Sequence, residues 1–361
     1  MKKVLITASG FGHIRSFHLP YIDSFRALGW QIHVACAGEP TEDIRAHRCI
    51  PVPFEKSMSS ISNFKAARLL RRLVKRERYD LLITHTSLAA FFTRLALLAL
   101  PHRPRVINVM HGYLFDDDTA ALKAFLLKSA ERIAAPVTDV TLTMNRYDDE
   151  WANRHRVSKE VRFIPGMGVD TAKAAIPAGG IGYRRSTDDF LMVYPAEFSE
   201  RKNQSMLIRA MKLLPESAVL ILPGRGELLE RCKALAKQEG VEDRVIFPGF
   251  VENVWPLLRS CSAAVSSSRS EGLPFNLMEA MLSALPVVCS RVKGNADLVD
   301  EGVTGYLFPY DDEKAFAEAI LKLMADPTAS KEMGRRGCEK AQPYKLENVL
   351  PIVMEEYLRN V

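Results

Sequence analysis

The chain is dominated by one recurring order: a short apolar run, a loop that often contains glycine, and a stretch with helical spacing of apolar residues. The first instance is the apolar run at 4–8, the loop at 9–13, the helical pattern at 16–28 and a second apolar run at 31–35. A strand–helix–strand unit of this kind starts a parallel sheet whose faces are covered by helices. The recurrence predicts an α/β, doubly wound fold.

A change in composition divides the recurring units into two groups. Residues 171–186, which include Pro177, Gly179 and Gly180, are typical of a linker. We therefore expect two Rossmann-like domains, at 1–170 and 187–344, and a C-terminal helix at 345–361 that packs back on the first domain. The ligand loops of both sheets, at their carboxyl ends, would face each other across a cleft.

The composition is that of a globular protein, with 47% hydrophobic and 25% charged residues among 361. The net charge of +6 favours an anionic partner without choosing among a phosphate ligand, a membrane surface and nucleic acid. The cysteines show no CxxC pair or zinc spacing, so we expect reduced cytosolic thiols and no metal site. No signal-peptide pattern is found, and the longest apolar run, at 88–100, is shorter than the roughly 20 residues of a membrane span. These features predict a soluble protein.

The stretch at 266–286 has the features of an anion site. It follows an apolar strand, turns at Gly272 and Pro274, and continues with helical spacing from Phe275. Free N–H groups and the helix dipole at such a terminus attract an anion. Glu271 lies in the turn, and Glu279, one turn inside the helix, could reach the hydroxyl pair of a ribose. The hypothesis is a sugar-nucleotide site.

The loop at 9–13 matches a dinucleotide fingerprint only in part. Arg15 stands where the third glycine belongs, and the acid expected about 20 residues later is missing, which argues against NAD or FAD. A glycine turn that admits a phosphate and a simple tight turn both stay open. His13, Arg15 and His18 follow the first strand and His111 follows another, where ligands bind in such sheets. Structural or surface histidines are the alternative.

Two charged segments have a plain and a functional interpretation. The helical pattern at 61–78 carries seven Lys and Arg residues against Glu77, which fits either a solvated helix face or an interfacial helix on anionic lipid. No nucleic-acid module accompanies it, so nucleic acid is not expected.

The run at 116–118 resembles a metal-binding DxD, but we interpret it as the cap of the helix at 119–133, because no further carboxylate cluster accompanies it.

The most specific segment is EGLPFNLME at 271–279, an E-x7-E pattern. Supporting motifs are FGHIRSFHLP at 11–20, HTSLAAFFTRLA at 85–96, VMHGYLF at 109–115, FIPGMGVD at 163–170, ERKNQ at 200–204 and PGRGE at 223–227. Together these segments, spread over nearly the whole chain, resemble retaining family-4 glycosyltransferases with the two-domain GT-B architecture. The resemblance is closest to the bacterial branch that builds capsular and exopolysaccharides on a lipid carrier.

The resemblance implies a role for each matching residue. Glu279 would bind the ribose, while Glu271 and His111, the candidate catalytic residues, would contact the donor sugar. His13, Arg15 and His18 would lie on the acceptor side. The donor and nucleotide site would comprise Gly12, Arg201, Lys202, Gly224, Glu227, Gly272, Leu273, Pro274, Phe275, Asn276 and Glu279. Domain 1–170 would then bind the acceptor and domain 187–344 the nucleotide sugar.

The resemblance also implies the reaction and its partners. A sugar, with an N-acetylhexosamine as candidate, would move from a nucleotide sugar, UDP-linked in preference to GDP-linked, to a polyprenyl-diphosphate-linked saccharide. No cofactor and no metal are expected, and retention would need no protein nucleophile because the departing phosphate takes the acceptor proton. The basic helix at 61–78 would hold the protein on an anionic membrane surface, at the cytoplasmic face of the cell membrane.

One departure and two alternatives accompany this interpretation. Many members of the family have an arginine where this chain has Glu197, so one diphosphate cation is missing, and Arg201, Arg291 or Arg15 could compensate. The alternatives are a UDP-sugar 2-epimerase of the same architecture, which needs further groups for proton chemistry, and an inactive sugar-nucleotide-binding subunit.

Overall fold

The computed structural model describes residues 1–175 and 188–361, so most of the predicted linker at 171–186 lies outside the described residues. The chain divides into two compact units. Unit 1 comprises Met1–Gly168 and Glu347–Val361, and unit 2 comprises Val169–Leu346. Each unit contains one parallel sheet with helices, which confirms the predicted α/β class with two Rossmann-like domains.

The strands and helices are numbered here in chain order. The strands are β1 Lys3–Gly10, β2 Gln31–Ala37, β3 Arg48–Pro51, β4 Leu81–His85, β5 Arg105–Val109, β6 Val140–Thr143, β7 Glu160–Phe163, β8 Phe190–Val193, β9 Ala218–Ile221, β10 Val245–Ile246, β11 Ala263–Ser266, β12 Val287–Ser290 and β13 Gly305–Phe308. The α-helices are α1 Phe11–Phe17, α2 Leu19–Ala27, α3 Ile61–Glu77, α4 Ser87–Leu95, α5 Ala121–Ala134, α6 Arg146–His155, α7 Gln204–Ala210, α8 Leu229–Gln238, α9 Trp255–Ser260, α10 Phe275–Leu282, α11 Asn295–Leu298, α12 Glu313–Ala325, α13 Pro327–Ala341 and α14 Leu346–Leu358.

The sheet of unit 1 has seven strands in the order β3-β2-β1-β4-β5-β6-β7. Strand β1 is central: Val4 pairs with Ile32 on one side and with Leu81 on the other. Because the strand order reverses between β1 and β4, the carboxyl ends of these strands open a crevice where ligands bind in such folds. His85 and the residues after β1 and β5 lie at this edge of the sheet.

The sheet of unit 2 has six strands in the order β10-β9-β8-β11-β12-β13. Its core is formed by fully buried side chains such as Met192, Leu207, Leu220 and Phe316. Apolar runs buried on both faces are typical of a parallel sheet. The loops after β8, β9, β11 and β12 all leave the same edge of the sheet, which brings the sequence motifs at 200–204, 223–227 and 271–279 to one side.

The beginning of the chain differs from the prediction. Instead of a glycine loop at 9–13 and one helix at 16–28, β1 runs to Gly10, α1 begins at Phe11, and α2 starts after a break at His18. Pro20 explains the break, because it has no N–H group to continue the helical hydrogen bonds. Gly12 is therefore an exposed helical residue, and a Cβ atom there would have no neighbour within 4 Å.

The interpretation of 116–118 as a helix cap is wrong. Helix α5 begins at Ala121 with Ala120 as its N-cap, and no side chain caps it. Asp116 instead accepts a hydrogen bond from the hydroxyl of Thr119 at 2.6 Å, and Asp117 accepts one from Tyr147 at 2.9 Å. These carboxylates order the loop that precedes the helix. No helix in the described part of the chain is long and apolar enough to cross a membrane.

The C-terminal helix α14 belongs to the core of unit 1. Tyr357 is 1% exposed, stacks on Phe25 with 6.0 Å between ring centroids and meets Tyr21 edge-on at 5.9 Å. The backbone oxygen of Val361 accepts a hydrogen bond from Lys2 at 2.8 Å. The end of the chain therefore covers helix α2 and lies beside the beginning of β1.

Candidate functional site

A buried carboxylate at the carboxyl end of β11 organises the charges of unit 2. Glu271 is 8% exposed, and both of its oxygens accept hydrogen bonds. Lys202 donates to Oε1 at 2.5 Å and Arg201 donates to Oε2 at 3.0 Å. Ser268 also donates to Oε1, at 2.5 Å. Glu271 therefore fixes two cations that come from the loop after β8, almost 70 residues earlier in the chain.

Serines at the strand ends hold this carboxylate in place. The hydroxyl of Ser268 lies 2.6 Å from that of Tyr194, and its backbone oxygen accepts a hydrogen bond from Ser290 at 2.5 Å. Ser267 anchors the other side, because its hydroxyl bonds the backbone oxygens of Lys202 and Asn203 at 3.0 and 2.8 Å. The ends of β8, β11 and β12 are thus tied together, and a network with all groups satisfied gives the cations a defined position.

The protonation states of the pair follow from competing effects. Burial raises the pKa of Glu271, but Lys202 and Arg201 outweigh it, so the pKa lies below its ordinary value. Burial lowers the pKa of Lys202, and the neighbouring Glu271 opposes that shift. Arg201 is the more exposed partner, with 48% of its side chain accessible compared with 11% for Lys202. The cluster therefore offers one fixed and one more adaptable cation.

The N-terminus of α10 lies directly after this cluster. Pro274 is the N-cap, so the helix begins at Phe275, where the helical spacing of the sequence begins, and no side chain caps it. The first N–H groups of a helix have no intrahelical acceptor. The side-chain nitrogen of Asn276 is buried and has no hydrogen-bond partner among the described residues. Gly272, Leu273 and Phe275 complete this turn, which offers several donors to an anion.

Glu279 lies in the second turn of α10 in an environment that disfavours its charge. Burial raises its pKa to about 7, although Lys173 has an opposing effect. No salt bridge to Glu279 is found in the described ranges, in contrast to Glu271. Two carboxylates eight residues apart thus have opposite pKa shifts, a pattern that often marks a functional site.

Glycines allow the loops of this edge to approach one another. Gly224 and Gly226 have φ values of 158° and 154°, and a Cβ atom on either would lie 2.0 or 2.3 Å from a backbone oxygen of the β8 loop. Gly294, with φ of 80°, lies against Gly272 in the same way, and a Cβ atom on Gly294 would lie 2.5 Å from the backbone oxygen of Gly272. Glu227 is exposed at the end of the β9 loop. Sequence reasoning missed Gly294, Ser268 and Ser290, whose signal is a position at the end of a strand or in the loop that follows it.

Four histidines converge in unit 1, at the carboxyl ends of three adjacent strands. His13 lies in α1 after β1, His18 in the break between α1 and α2, His85 at the end of β4, and His111 after β5. One ring nitrogen from each lies within 4.8 Å of the others. The Nδ1 atom of His85 and the Nε2 atom of His111 are 3.1 Å apart.

Burial sets the charge of the histidine cluster (His13, His18, His85 and His111). Desolvation lowers the pKa of His13 to about 4, and it lowers the pKa values of the other three well below the usual value, with smaller effects from neighbouring rings. The rings are therefore neutral near pH 7. Arg15, predicted on the same side, does not join them, because its guanidinium pairs with Asp43 at 2.7 Å. His85 was not among the predicted site residues. It is the last residue of β4, a position similar to that of His111, which lies two residues after the end of β5.

Two family models match the two halves of the chain. The model described as Glycosyltransferase Family 4 matches residues 22–173, and the model described as Glycosyl transferases group 1 matches residues 182–340. EpsD of Bacillus subtilis (strain 168), named as a glycosyltransferase, is 30% identical over 94% of this chain and 92% of its own length. The UDP-Gal:alpha-D-GlcNAc-diphosphoundecaprenol alpha-1,3-galactosyltransferase of Escherichia coli is 27% identical over 75% of this chain and 73% of its own.

A solved structure supports the fold. Sucrose-phosphate synthase from Thermosynechococcus elongatus superposes with a TM-score of 0.83, covering 99% of this chain and 98% of its own, at 20% identity. The 30% identity to EpsD extends over nearly the full length of both proteins. The chain therefore belongs to the glycosyltransferases of the GT-B fold that join a family 4 domain to a group 1 domain.

Proposed function

We propose that the protein is a retaining glycosyltransferase that moves a sugar from a UDP-sugar to a polyprenyl-diphosphate-linked saccharide in the synthesis of a cell-surface polysaccharide. The observation that carries the proposal is the arrangement in unit 2, where Lys202 and Arg201 are fixed by Glu271 directly before the N-terminus of α10. Two cations next to a helix N-terminus form a site for a diphosphate.

The proposed chemistry uses this site to stabilise the leaving group. When the bond between the sugar and the diphosphate breaks, negative charge develops on the phosphate oxygens. Fixed cations and N–H groups that already point at those oxygens lower the barrier without reorganising. Lys202 and Arg201 supply positive charge here, so we propose that donor binding needs no divalent ion. The free phosphate oxygen would take the acceptor proton, which gives retention without a protein nucleophile.

The remaining residues have proposed roles that follow from their positions and chemistry. Glu279, when ionised, would accept hydrogen bonds from the two ribose hydroxyls. Gly224 and Glu227, on the loop after β9, would line the base. In unit 1, His111 would hydrogen-bond the donor sugar, and His13 and His18 would lie on the acceptor side. Arg15 is a weaker candidate for a phosphate contact, because it is already paired with Asp43.

The choice of substrates is supported by a relative. The name of the Escherichia coli galactosyltransferase includes UDP-Gal as donor and a diphosphoundecaprenol-linked sugar as acceptor. We propose the same classes for this chain, with the identity of the sugar left to experiment. A 2-epimerase is not favoured, because the relatives named above are transferases.

Helix α3 supports a proposed attachment to membranes. Its exposed side chains include Ile61, Phe64, Lys65, Arg68 and Arg72. Apolar and aromatic groups beside cations favour an anionic lipid surface, and each cation adds about 1 kcal/mol there. Such attachment would place a cytoplasmic enzyme beside a polyprenyl-linked acceptor.

The function is tested by incubating the purified protein with UDP-galactose, UDP-glucose and their N-acetylated forms, with and without polyprenyl-diphosphate N-acetylglucosamine. We expect one donor to add one hexose or one N-acetylhexosamine mass to the acceptor and release UDP, with an α-linkage by NMR. A new epimer of the donor without acceptor would establish the epimerase instead. UDP binding without transfer from any of the donors would favour the inactive subunit.

A further inference from the structure

We infer that the histidine cluster of unit 1 is a binding site for one transition-metal ion, of which Zn²⁺ is the appropriate probe. The ligands would be one ring nitrogen each from His13, His18, His85 and His111, which lie within 4.8 Å of one another. All four ligands belong to unit 1, whereas Lys202 and Glu271 belong to unit 2. The inference goes beyond the proposed transferase function, because a metal ion takes one nitrogen of each ring and leaves the other nitrogen of His13, His18 and His111 for the substrate contacts proposed above.

The geometry of the rings is close to that of a tetrahedral site. Zinc–nitrogen bonds of 2.0–2.1 Å require ligand nitrogens that are about 3.4 Å apart. The nitrogens of His85 and His111 are already 3.1 Å apart, and the largest separation in the cluster is 4.8 Å. The ring centroids lie from 3.9 Å apart, for His18 and His85, to 6.2 Å apart, for His13 and His85. At this spacing, ring rotations about χ1 and χ2 can bring the four nitrogens to the distances that zinc requires.

Unpartnered nitrogens provide an independent observation. His18 is 1% exposed, and neither its Nδ1 nor its Nε2 atom has a hydrogen-bond partner in the described chain; the same holds for Nε2 of His13. A buried polar atom without a partner costs about 1–3 kcal/mol. A histidine that served only to fill the core would have a carbonyl or hydroxyl partner, as His33 has in Tyr79 at 2.7 Å. A metal ion would satisfy one nitrogen of His18 and one of His13.

Backbone strain beside His85 points the same way. Thr86, a β-branched residue, has φ of 62° and ψ of 137°, a conformation that such residues rarely adopt. Its hydroxyl donates to the backbone oxygen of His85 at 2.6 Å and accepts from the N–H group of Ser9 at 3.0 Å. The strained turn thereby fixes the end of β4 against the end of β1. Strain of this kind is stored mostly at functional sites.

The donor set selects the class of metal. Four neutral imidazoles suit Zn²⁺, Co²⁺, Ni²⁺ and Cu²⁺, whereas Mg²⁺ and Ca²⁺ prefer oxygen ligands. No carboxylate belongs to the cluster within the described residues. Sequence reasoning sought zinc spacing only among cysteines, and the histidines lie 5 to 98 positions apart along the chain, so no local motif reveals them.

The inference is tested by metal binding to the whole, metal-stripped chain. Titration with Zn²⁺ against a chromophoric chelator is expected to give one tight site per chain, and Co²⁺ is expected to give the intense visible bands of a tetrahedral ion. The variants H18Q and H85Q should each weaken Zn²⁺ binding at least about 10-fold, in keeping with the loss of a ligand. The variant H102Q, at an exposed histidine outside the cluster, should bind as the unsubstituted protein does.

Folding of the variants is checked by circular dichroism and by thermal unfolding of the whole chain, neither of which depends on nucleotide binding. Folded H18Q and H85Q variants that retain tight Zn²⁺ binding would overturn the inference. So would a weak, octahedral Co²⁺ spectrum, or Zn²⁺ binding that H102Q abolishes. Transfer is measured separately, by the gain in acceptor mass and the release of UDP, so failure of the metal site and failure of the proposed function are distinguishable.

Discussion

The Nζ atom of Lys202 lies 2.5 Å from Oε1 of Glu271, and both side chains are nearly buried. Burial lowers the pKa of this lysine, and the charge of the carboxylate opposes that effect. Breaking a buried pair by removing one partner leaves the other charge uncompensated, which costs more than the pair itself contributes. The first prediction follows from this asymmetry.

Replacing Glu271 by glutamine should destabilise unit 2 by about 3 kcal/mol, because Lys202 remains buried beside a neutral group. Urea unfolding curves give the measurement. The control is E200Q: Glu200 is 80% exposed and lies 3.5 Å from Arg231 in a surface pair, so its loss should change stability by less than about 1 kcal/mol. Equal unfolding midpoints for the two variants would contradict the prediction.

Glu279 should make the stability of unit 2 depend on pH. Its pKa rises from 4.5 to about 7 on folding, so the folded state binds more protons between these values and stability falls as pH rises through them. The variant E279Q should therefore be more stable than the unsubstituted protein at pH 8, by up to about 3 kcal/mol, and similar to it below pH 4.5. Thermal unfolding at a series of pH values measures the difference.

The same variant should bind UDP more weakly, since an amide replaces the carboxylate that would accept from the ribose hydroxyls. A gain in stability at pH 8 together with a loss of UDP affinity separates a binding role from general damage to the fold. The control is E252Q, at an exposed glutamate, which should change neither quantity at pH 8. Undiminished UDP affinity in E279Q would rule out the ribose contact.

Substituting alanine for Gly294 should disturb the turn before α10. Its Cβ atom would lie 2.5 Å from the oxygen of Gly272, so that turn must move, and UDP affinity should fall roughly 10-fold if the turn binds the diphosphate. The matched control is G302A, which has a similar φ of 72° but no atom within 4 Å of the new Cβ. It should cost about 1–2 kcal/mol of stability and leave UDP binding intact. Calorimetric titration with UDP distinguishes them; equal affinities would contradict the prediction.

Charge reversal on helix α3 tests the proposed membrane attachment. The triple variant K65E/R68E/R72E should bind anionic vesicles at least about 100-fold more weakly at low salt. Arg71 is left in place, because it donates to the backbone oxygens of Ala96 and Leu98 at 2.9 and 2.7 Å and so supports the fold. A vesicle sedimentation assay at increasing salt provides the measurement.

The matched control for α3 is K237E/K314E/K331E, which makes the same change in net charge at exposed lysines of unit 2. It should retain most of the vesicle binding. If both triple variants lose binding equally, net charge rather than helix α3 determines the attachment.

The alternation of strands and helices was predictable because the central strands contain short apolar runs, such as AVLI in β9. Strand β3 was missed because it contains Arg48 and Pro51 and lies at an edge, where apolar residues are not required. Strand β13 was missed for a different reason, because it begins at Gly305 and glycine is typical of loops. An edge strand is recognised by its hydrogen bonds to the neighbouring strand, and local composition gives no sign of these bonds.

The candidate sites were predictable to different degrees. Glu271, Lys202 and the α10 turn were identified because they follow strands or belong to a specific motif, and the structure brings them together. The histidine cluster could be predicted only with knowledge of the strand order, because the placement of β4 between β1 and β5 brings His85 beside His13 and His111. The prediction for Asp116 was wrong because acidic residues before a helix usually cap it, whereas this carboxylate accepts a hydrogen bond from the hydroxyl of Thr119.

The return of helix α14 to unit 1 imposes an order on folding during synthesis. Tyr357 completes the packing around Tyr21 and Phe25, yet it leaves the ribosome only after all of unit 2 has been made. Unit 2 is continuous in the chain and can complete its core first. The unit that is translated first is therefore completed after unit 2, and a nascent chain must protect the uncovered aromatic side chains of α2 until helix α14 emerges.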